Sequence, residues 1–241
     1  MKPSPASGVH RSPTTVTGLA VLLTVAIGGC RATPEEAGAT APGDPDAAVD
    51  PEPTAEPATT TRVLFDGRSL DGWRNTDYGG SGEVTVEDGR LVLGVGERLT
   101  GITWEGGDLP RTDYELAFDA AREEGVDFFC GLTFPVGESH ASLILGGWGG
   151  ATTGLSSLDG RDAADNETTS YRTYELGRRY AVRVRVETER LQAWVDGEPV
   201  VDVAIAGRDV GIRPEVEPSC PLGVASFATR ASISPILLTT W

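Results

Sequence analysis

The run from Tyr180 to Ile205, YAVRVRVETERLQAWVDGEPVVDVAI, constrains the fold more than any other segment of the chain. Val182, Val184 and Val186 alternate with Ala181, Arg183 and Arg185, and Leu191, Ala193 and Val195 then alternate with polar neighbours. Asp196-Gly197 follows and leads into Val200-Val201. Period-two alternation gives each strand one apolar and one polar face, and Asp-Gly between two such runs signals a hairpin. The same pattern surrounds Asp88-Gly89 in Val84–Val95. In Asp113–Arg122, Tyr114, Leu116 and Phe118 oppose Glu115, Ala117 and Asp119. Val126–Val136 and Ala141–Trp148 are more apolar and read as buried strands, and Leu222–Ala228 and Ile233–Trp241 close the series. No stretch keeps a 3.6-residue apolar period for three turns, and 31 glycines and 16 prolines punctuate the chain. The expected fold is all-β, one two-sheet sandwich over residues 62–241, long enough to bury a sizeable core.

The residues before 62 have a different texture. Val16–Ile27 is an apolar run of 12, short for a membrane span and suited to a signal-peptide core. It ends in Ile27-Gly28-Gly29-Cys30, which resembles a bacterial lipobox. That resemblance implies a signal peptide over residues 1–29 and a lipidated Cys30 that anchors the chain in a lipid bilayer. Arg31, rather than Asp, follows the cysteine. Where that position sorts lipoproteins, this implies export to the cell envelope and the outer membrane, facing periplasm or exterior. Residues 30–61 hold no aromatic and repeat Pro, Ala, Thr, Asp and Glu. Such a composition buries too little apolar area to offset chain entropy, so it reads as a disordered tether. At about 3.1 Å per residue it reaches on the order of 90 Å.

Charge narrows the partners. The chain has 20 basic and 36 acidic residues, a net charge of −16, and Lys2 is its single lysine. Nucleic acid is excluded as a partner because phosphate binding needs a basic face. Two histidines and three cysteines without a CxxC exclude a Cys/His zinc site. Cys130 and Cys220 leave two options open in an exported protein, a disulfide or a free core thiol.

Several motifs together resemble one family. LFDGRSLDGW (Leu64–Trp73), Val86-Glu87-Asp88-Gly89-Arg90-Leu91, Asp113-Tyr114-Glu115-Leu116, and the run from Tyr180 through Trp194, Asp196 and Gly197 are similar, in order and spacing, to the 3-keto-disaccharide hydrolase domain. The resemblance implies a concanavalin A-like (laminin-G-like) jelly-roll sandwich and a carbohydrate partner. It also implies cleavage of 3-keto-glycosides by elimination across C1–C2, followed by hydration. The middle of the chain, FFCGLTFPVGESHASLILGGWGGATTGLSSLDGRDAADNETT, departs from the commoner members, so no catalytic residue carries over there.

Elimination of that kind needs a base, an acid and an electrophile for the keto oxygen. His140, the one histidine after Cys30, is a candidate base and equally a turn residue. Arg122 and Arg172 are candidate keto-oxygen partners. Trp148, inside Gly146-Gly147-Trp148-Gly149-Gly150, is either a sugar-stacking platform or a core aromatic on a bulge, and Trp104 shares that ambiguity. Trp73 and Trp194 read as core. The polar cluster from Ser157 to Thr169 supplies Asn166 as a substrate-binding candidate. Its Asp159, Asp162 and Glu167 are candidate ligands for a divalent metal ion, Ca, Mg or Zn, or else form a solvated acidic loop. A retaining glucanase would carry paired carboxylates on one strand as E-x-D-x-x-E, and no such run is present. A non-catalytic carbohydrate-binding or surface interaction module remains the alternative to an enzyme.

Overall fold

The computed structural model describes residues 58–241. The expected signal segment, Cys30 and residues 30–57 of the expected tether lie outside the described residues, whereas Thr60 and Thr61, expected in the tether, already belong to the first strand. Two antiparallel sheets account for most of the rest. The nine-stranded sheet holds β1 (Thr60–Phe65), β3 (Val84–Glu87), β4 (Arg90–Leu93), β6 (Tyr114–Glu124), β11 (Arg179–Val186), β12 (Arg190–Val195), β13 (Glu198–Ala204), β15 (Arg230–Ile233) and β16 (Ile236–Thr240). The seven-stranded sheet holds β2 (Trp73–Asn75), β5 (Leu99–Trp104), β7 (Cys130–Val136), β8 (Ser139–Gly146), β9 (Thr152–Ser156), β10 (Ser170–Tyr171) and β14 (Gly223–Phe227), in the order β10-β9-β8-β7-β14-β5-β2. Among the described residues no helix is long and apolar enough to cross a membrane.

Local sequence explains the strand ends. Asp88 and Gly89 adopt φ of 50° and 78°, and Asp196 and Gly197 adopt 53° and 79°. Positive φ at both central residues makes the tight turn whose twist matches its strands. β15 and β16 would be one strand but for Pro235 between them. Both pair with β6, β16 along its first half and β15 along its second. β1 pairs with β16 so that Thr60 faces Thr240.

The core lies between the sheets. Tyr180, Val182, Val184, Val186, Leu191, Ala193 and Val195 all point into it, as the alternation predicts. From the other sheet, the cross-strand row Ile102, Val224, Leu132, Leu143 and Leu155 faces them, each almost fully buried. Each such side chain contributes about 1.5–3 kcal/mol over its exposed state. Trp73 and Trp104 pack edge to face, centroids 5.1 Å apart, with their indole N–H groups donating to Leu64 O and Gly107 O. Trp194 departs from its expected core place. It stands on the outer face of the nine-stranded sheet with the Arg183 guanidinium 4.0 Å above its ring centroid. Cys130 and Cys220 are both free thiols. Cys130 faces the core from β7, and its pKa is pushed up to about 12 by burial.

Candidate functional site

The outer face of the seven-stranded sheet is built from small side chains. Alternation with the core row leaves Thr103, Gly223, Thr133, Ser142 and Ser156 as one outward row. Gly101, Ala225, Gly131, Ile144 and Gly154 form the next. Small residues let other groups approach the sheet closely. Two segments do so. The Phe128 ring folds back until its edge lies 3.0 Å from where a Cβ on Gly131 would sit. The short 3-10 segment Pro214–Ser219 lies over the other side, where Pro218 O accepts a hydrogen bond from the Thr103 hydroxyl at 2.9 Å.

Between these segments lies a cleft of about 280 Å³. Ser142, Ile144 and Ser156 form its floor, Leu99, Phe128 and Phe227 one wall, and Arg213, Glu215 and Val216 the other, with Trp148, Asp127 and Arg98 at the mouth. The strand Ala141–Trp148 expected from sequence stops at Gly146. Gly146, Trp148 and Gly149 take φ of 75°, 49° and 88°. This left-handed turn throws the indole out of the sheet, 47% exposed. Asp127 braces it, its carboxylate accepting from Phe128 N at 2.8 Å and Gly149 N at 3.2 Å. A bulky residue in left-handed backbone is costly, and such outliers gather at ligand sites.

The charges at the cleft are arranged unequally. Arg213 donates to Glu215 at 2.9 Å and to Asp162 at 2.8 Å. The Arg213 hydrogen bond is the main cause holding the Glu215 carboxyl below its ordinary range. Arg98 is exposed and pairs with no carboxylate among the described residues. Ser156, 1% exposed, has a hydroxyl with no hydrogen-bond partner. A buried hydroxyl left unmatched costs about 1–3 kcal/mol until something pairs with it.

Of the residues singled out from sequence, Trp148 alone lines this cleft. Arg122 points inward from β6. It is 6% exposed, stacks on Phe129 and donates to Tyr174 O at 2.6 Å, so it braces the sandwich and touches no cleft. Arg172 pairs with Glu198 at 2.6 Å and Asp196 at 3.7 Å, beside the β12–β13 hairpin. Trp104 is 7% exposed and belongs to the core. His140 shares the outer side of β8 with Ser142, but at the β7–β8 hairpin end and outside the cleft. Burial, and then Arg111, lowers its pKa, so the imidazole is neutral at pH 7.

The polar cluster has a structural explanation. Asp159 and Glu167 grip Arg208 at 2.6 and 2.8 Å, and Asp162 grips Arg213 at 2.8 Å. Arg208 stays protonated, and its hydrogen bond lowers the Asp159 pKa. A cation at these carboxylates would have to displace a guanidinium. Among the described residues no three metal-ligating side chains gather at one point. The Asn166 Nδ2 donates to Leu155 O, Arg161 O and Asp162 O at 2.7–3.1 Å, and its Oδ1 accepts from the Thr168 N–H and hydroxyl. Those bonds exhaust the amide, so Asn166 holds the loop together rather than a ligand. A polar depression of about 680 Å³ lies beside Arg208, lined by Arg161, Asp165 and Thr169 among others.

Comparison with solved structures returns sandwiches at low identity. A protein of Parabacteroides distasonis ATCC 8503 is 13% identical, with 75% of this chain and 94% of that one covered and a TM-score of 0.48. The carbohydrate-binding module CBM66 from Bacillus subtilis is 13% identical (68% and 93% covered, TM-score 0.42). SCLam, a non-specific endo-β-1,3(4)-glucanase of family GH16, is 13% identical (78% and 94% covered, TM-score 0.46). No curated protein sequence matches. The family model described as the 3-keto-alpha-glucoside-1,2-lyase-like domain matches residues 60–226, which span the sandwich from β1 to β14 and all of the cleft but Phe227. A match over that much of the chain makes it a carbohydrate-active sandwich domain and a member of the 3-keto-alpha-glucoside-1,2-lyase-like domain family.

Proposed function

We propose that the cleft binds a 3-keto-glycoside and breaks its C1–O bond by elimination. The observation that carries this is the meeting, at one apolar hollow, of an ionised carboxylate (Glu215), an unpaired guanidinium (Arg98) and an exposed indole (Trp148) in a chain of this family. Glu215 takes the proton from C2, which the C3 keto group acidifies. The C2–H electron pair becomes the C1=C2 double bond as C1–O breaks. The leaving oxygen takes up the proton that Glu215 accepted. Water then adds across C1=C2 to give the free 3-keto sugar, with no oxidant or reductant consumed. Arg98 faces the negative charge that develops on the C3 oxygen. Trp148 offers its exposed indole face to the substrate at the cleft mouth, and Ser156 receives one sugar hydroxyl. No step is assigned to a metal, because the carboxylates foreseen as ligands are committed to Arg208 and Arg213.

A non-catalytic binding module is the second reading, favoured by the Arg213 pairing, which weakens Glu215 as a base. One experiment separates the two. The full chain in detergent is incubated with a 3-keto-disaccharide and its unoxidised parent, with and without chelator, and released monosaccharide is followed by mass spectrometry. Turnover of the keto sugar alone, abolished in Glu215→Gln, supports elimination. Binding of both sugars without turnover of either refutes it.

The anchor is proposed on the sequence alone. The Ile27-Gly28-Gly29-Cys30 run is the support for processing and acylation at Cys30 and for attachment to the cell envelope. Cys30→Ser should leave the protein unlabelled by a fatty-acid tracer and free of the membrane fraction. Unchanged labelling would refute the anchor.

A further inference from the structure

The cleft has two chemically different ends, and strand register locates them. At one end Ser142 stands directly between Thr133 of β7 and Ser156 of β9. The Thr133 and Ser142 hydroxyls share a 2.8 Å hydrogen bond. Ser156 Oγ closes this row buried and unpartnered, although it lines the cleft. At the other end Leu99 faces Phe227 across β5 and β14. The Phe128 ring lies 5.9 Å from that of Phe227, and Trp148 follows on the turn beyond β8. Four residues of strand separate the rows, and at about 3.3 Å per residue the ends are roughly 13 Å apart.

The geometry points to a glycoside lying lengthwise, its sugar at the Ser156 end and an apolar aglycone, aryl or alkyl, at the Phe128–Phe227–Trp148 end. This rests on the reading that the cleft takes a 3-keto-glycoside, and it names the class of leaving group. A buried free hydroxyl is a poor wall for hydrocarbon and a good one for a sugar hydroxyl. The far end has the opposite character. A second pyranose there would bring hydroxyls around its whole equator against Leu99, Ile144 and the two phenylalanines, with Asp127 and Arg98 only at the mouth. Those hydroxyls would lose water without gaining partners. A planar or branched hydrocarbon loses nothing by the same transfer and fills the hollow.

The test compares 2-phenylethyl, methyl and glucosyl 3-keto-glucosides of the same anomeric form. All three leave as alkoxides, and the glucosyl hydroxyl is the most acidic of them, so leaving-group acidity alone would favour the glucosyl substrate, opposite to the order expected from binding. With the full chain in detergent, kcat/KM for the 2-phenylethyl substrate should exceed the other two by about tenfold or more. Trp148→Ala should shrink that preference to within about threefold, whereas Ser156→Ala should lower all three rates by a similar factor, since it touches the shared sugar. A glucosyl leaving group that performs as well as the 2-phenylethyl one overturns the proposal. If no keto-glycoside is turned over, the elimination reading falls by itself. Calorimetry with unoxidised 2-phenylethyl glucoside and the matching disaccharide then decides the aglycone end. Tighter binding of the former upholds it, and equal or weaker binding overturns it.

Discussion

Replacing Asn166 by alanine separates a ligand-binding residue from a scaffold residue. β10 pairs with Thr152 and Thr153 of β9 and then stops, which leaves the edge of β9 bare at Leu155. Side chains continue the ladder there. Asn166 Nδ2 donates to Leu155 O at 2.7 Å, and the Thr168 hydroxyl accepts from Leu155 N at 2.9 Å while donating to Asn166 Oδ1 at 2.6 Å. Two more Nδ2 contacts, to Arg161 O and Asp162 O, close the loop on itself. Alanine removes five contacts. At about 0.5–1 kcal/mol net for each partly screened bond, the loss is about 2.5–5 kcal/mol. For a domain of this size each kcal/mol lowers Tm by roughly 2–4 °C, so a fall of about 5–20 °C is expected. Chemical denaturation should show a lower midpoint with an unchanged slope. Sugar affinity measured well below the new Tm should stay within about twofold. An Asn166→Ala protein as stable as the parent but unable to bind would refute this reasoning and restore Asn166 to the ligand.

Three further outcomes are expected. Trp148→Ala should weaken glycoside binding by calorimetry about tenfold while leaving the denaturation midpoint in place, because the indole is exposed and supports no core. Since Arg213 depresses the Glu215 pKa, the carboxylate persists below the ordinary range and activity should fall on the acid side only under it; Arg213→Met should move that limb to higher pH. The stability this pairing contributes is present above the unfolded carboxyl pKa and fades as pH drops through the lower folded value. Cys130 should react with a thiol reagent only after unfolding, since burial lifts its pKa to about 12, and gel mobility should be the same with and without reductant.

The sandwich was legible in the sequence because its cues are local. Asp88-Gly89 and Asp196-Gly197 announce their own backbone angles, and the Val182–Val184–Val186 alternation announces its own inner face. Trp148 was legible for the same reason: glycines on both sides permit the left-handed turn that exposes it. The rest of the cleft is not local. Arg98, Asp127, Ser156 and Glu215 come from four separate segments, and cross-strand register, which spacing along the chain does not reveal, brings them together. Grouped acids misled for a related reason. Asp159, Asp162 and Glu167 lie close in sequence like ligands of one ion, but the cation that Asp159 meets is Arg208, 49 residues away. Arg122 misled because its alternation places it on the inner face, where its guanidinium donates to the Tyr174 carbonyl inside the sandwich.

The Thr60–Thr240 pair has a bearing on how the domain meets its surroundings. Because β1 and β16 are zipped together, the chain enters and leaves the fold from the same sheet, and the cleft belongs to the outer face of the other. Sheets packed face to face lie about 10 Å apart, so about one sheet spacing separates the sheet of the Thr60–Thr240 pair from the sheet that carries the cleft. A label attached at Trp241 therefore sits on the sheet opposite the cleft and leaves the cleft lining untouched.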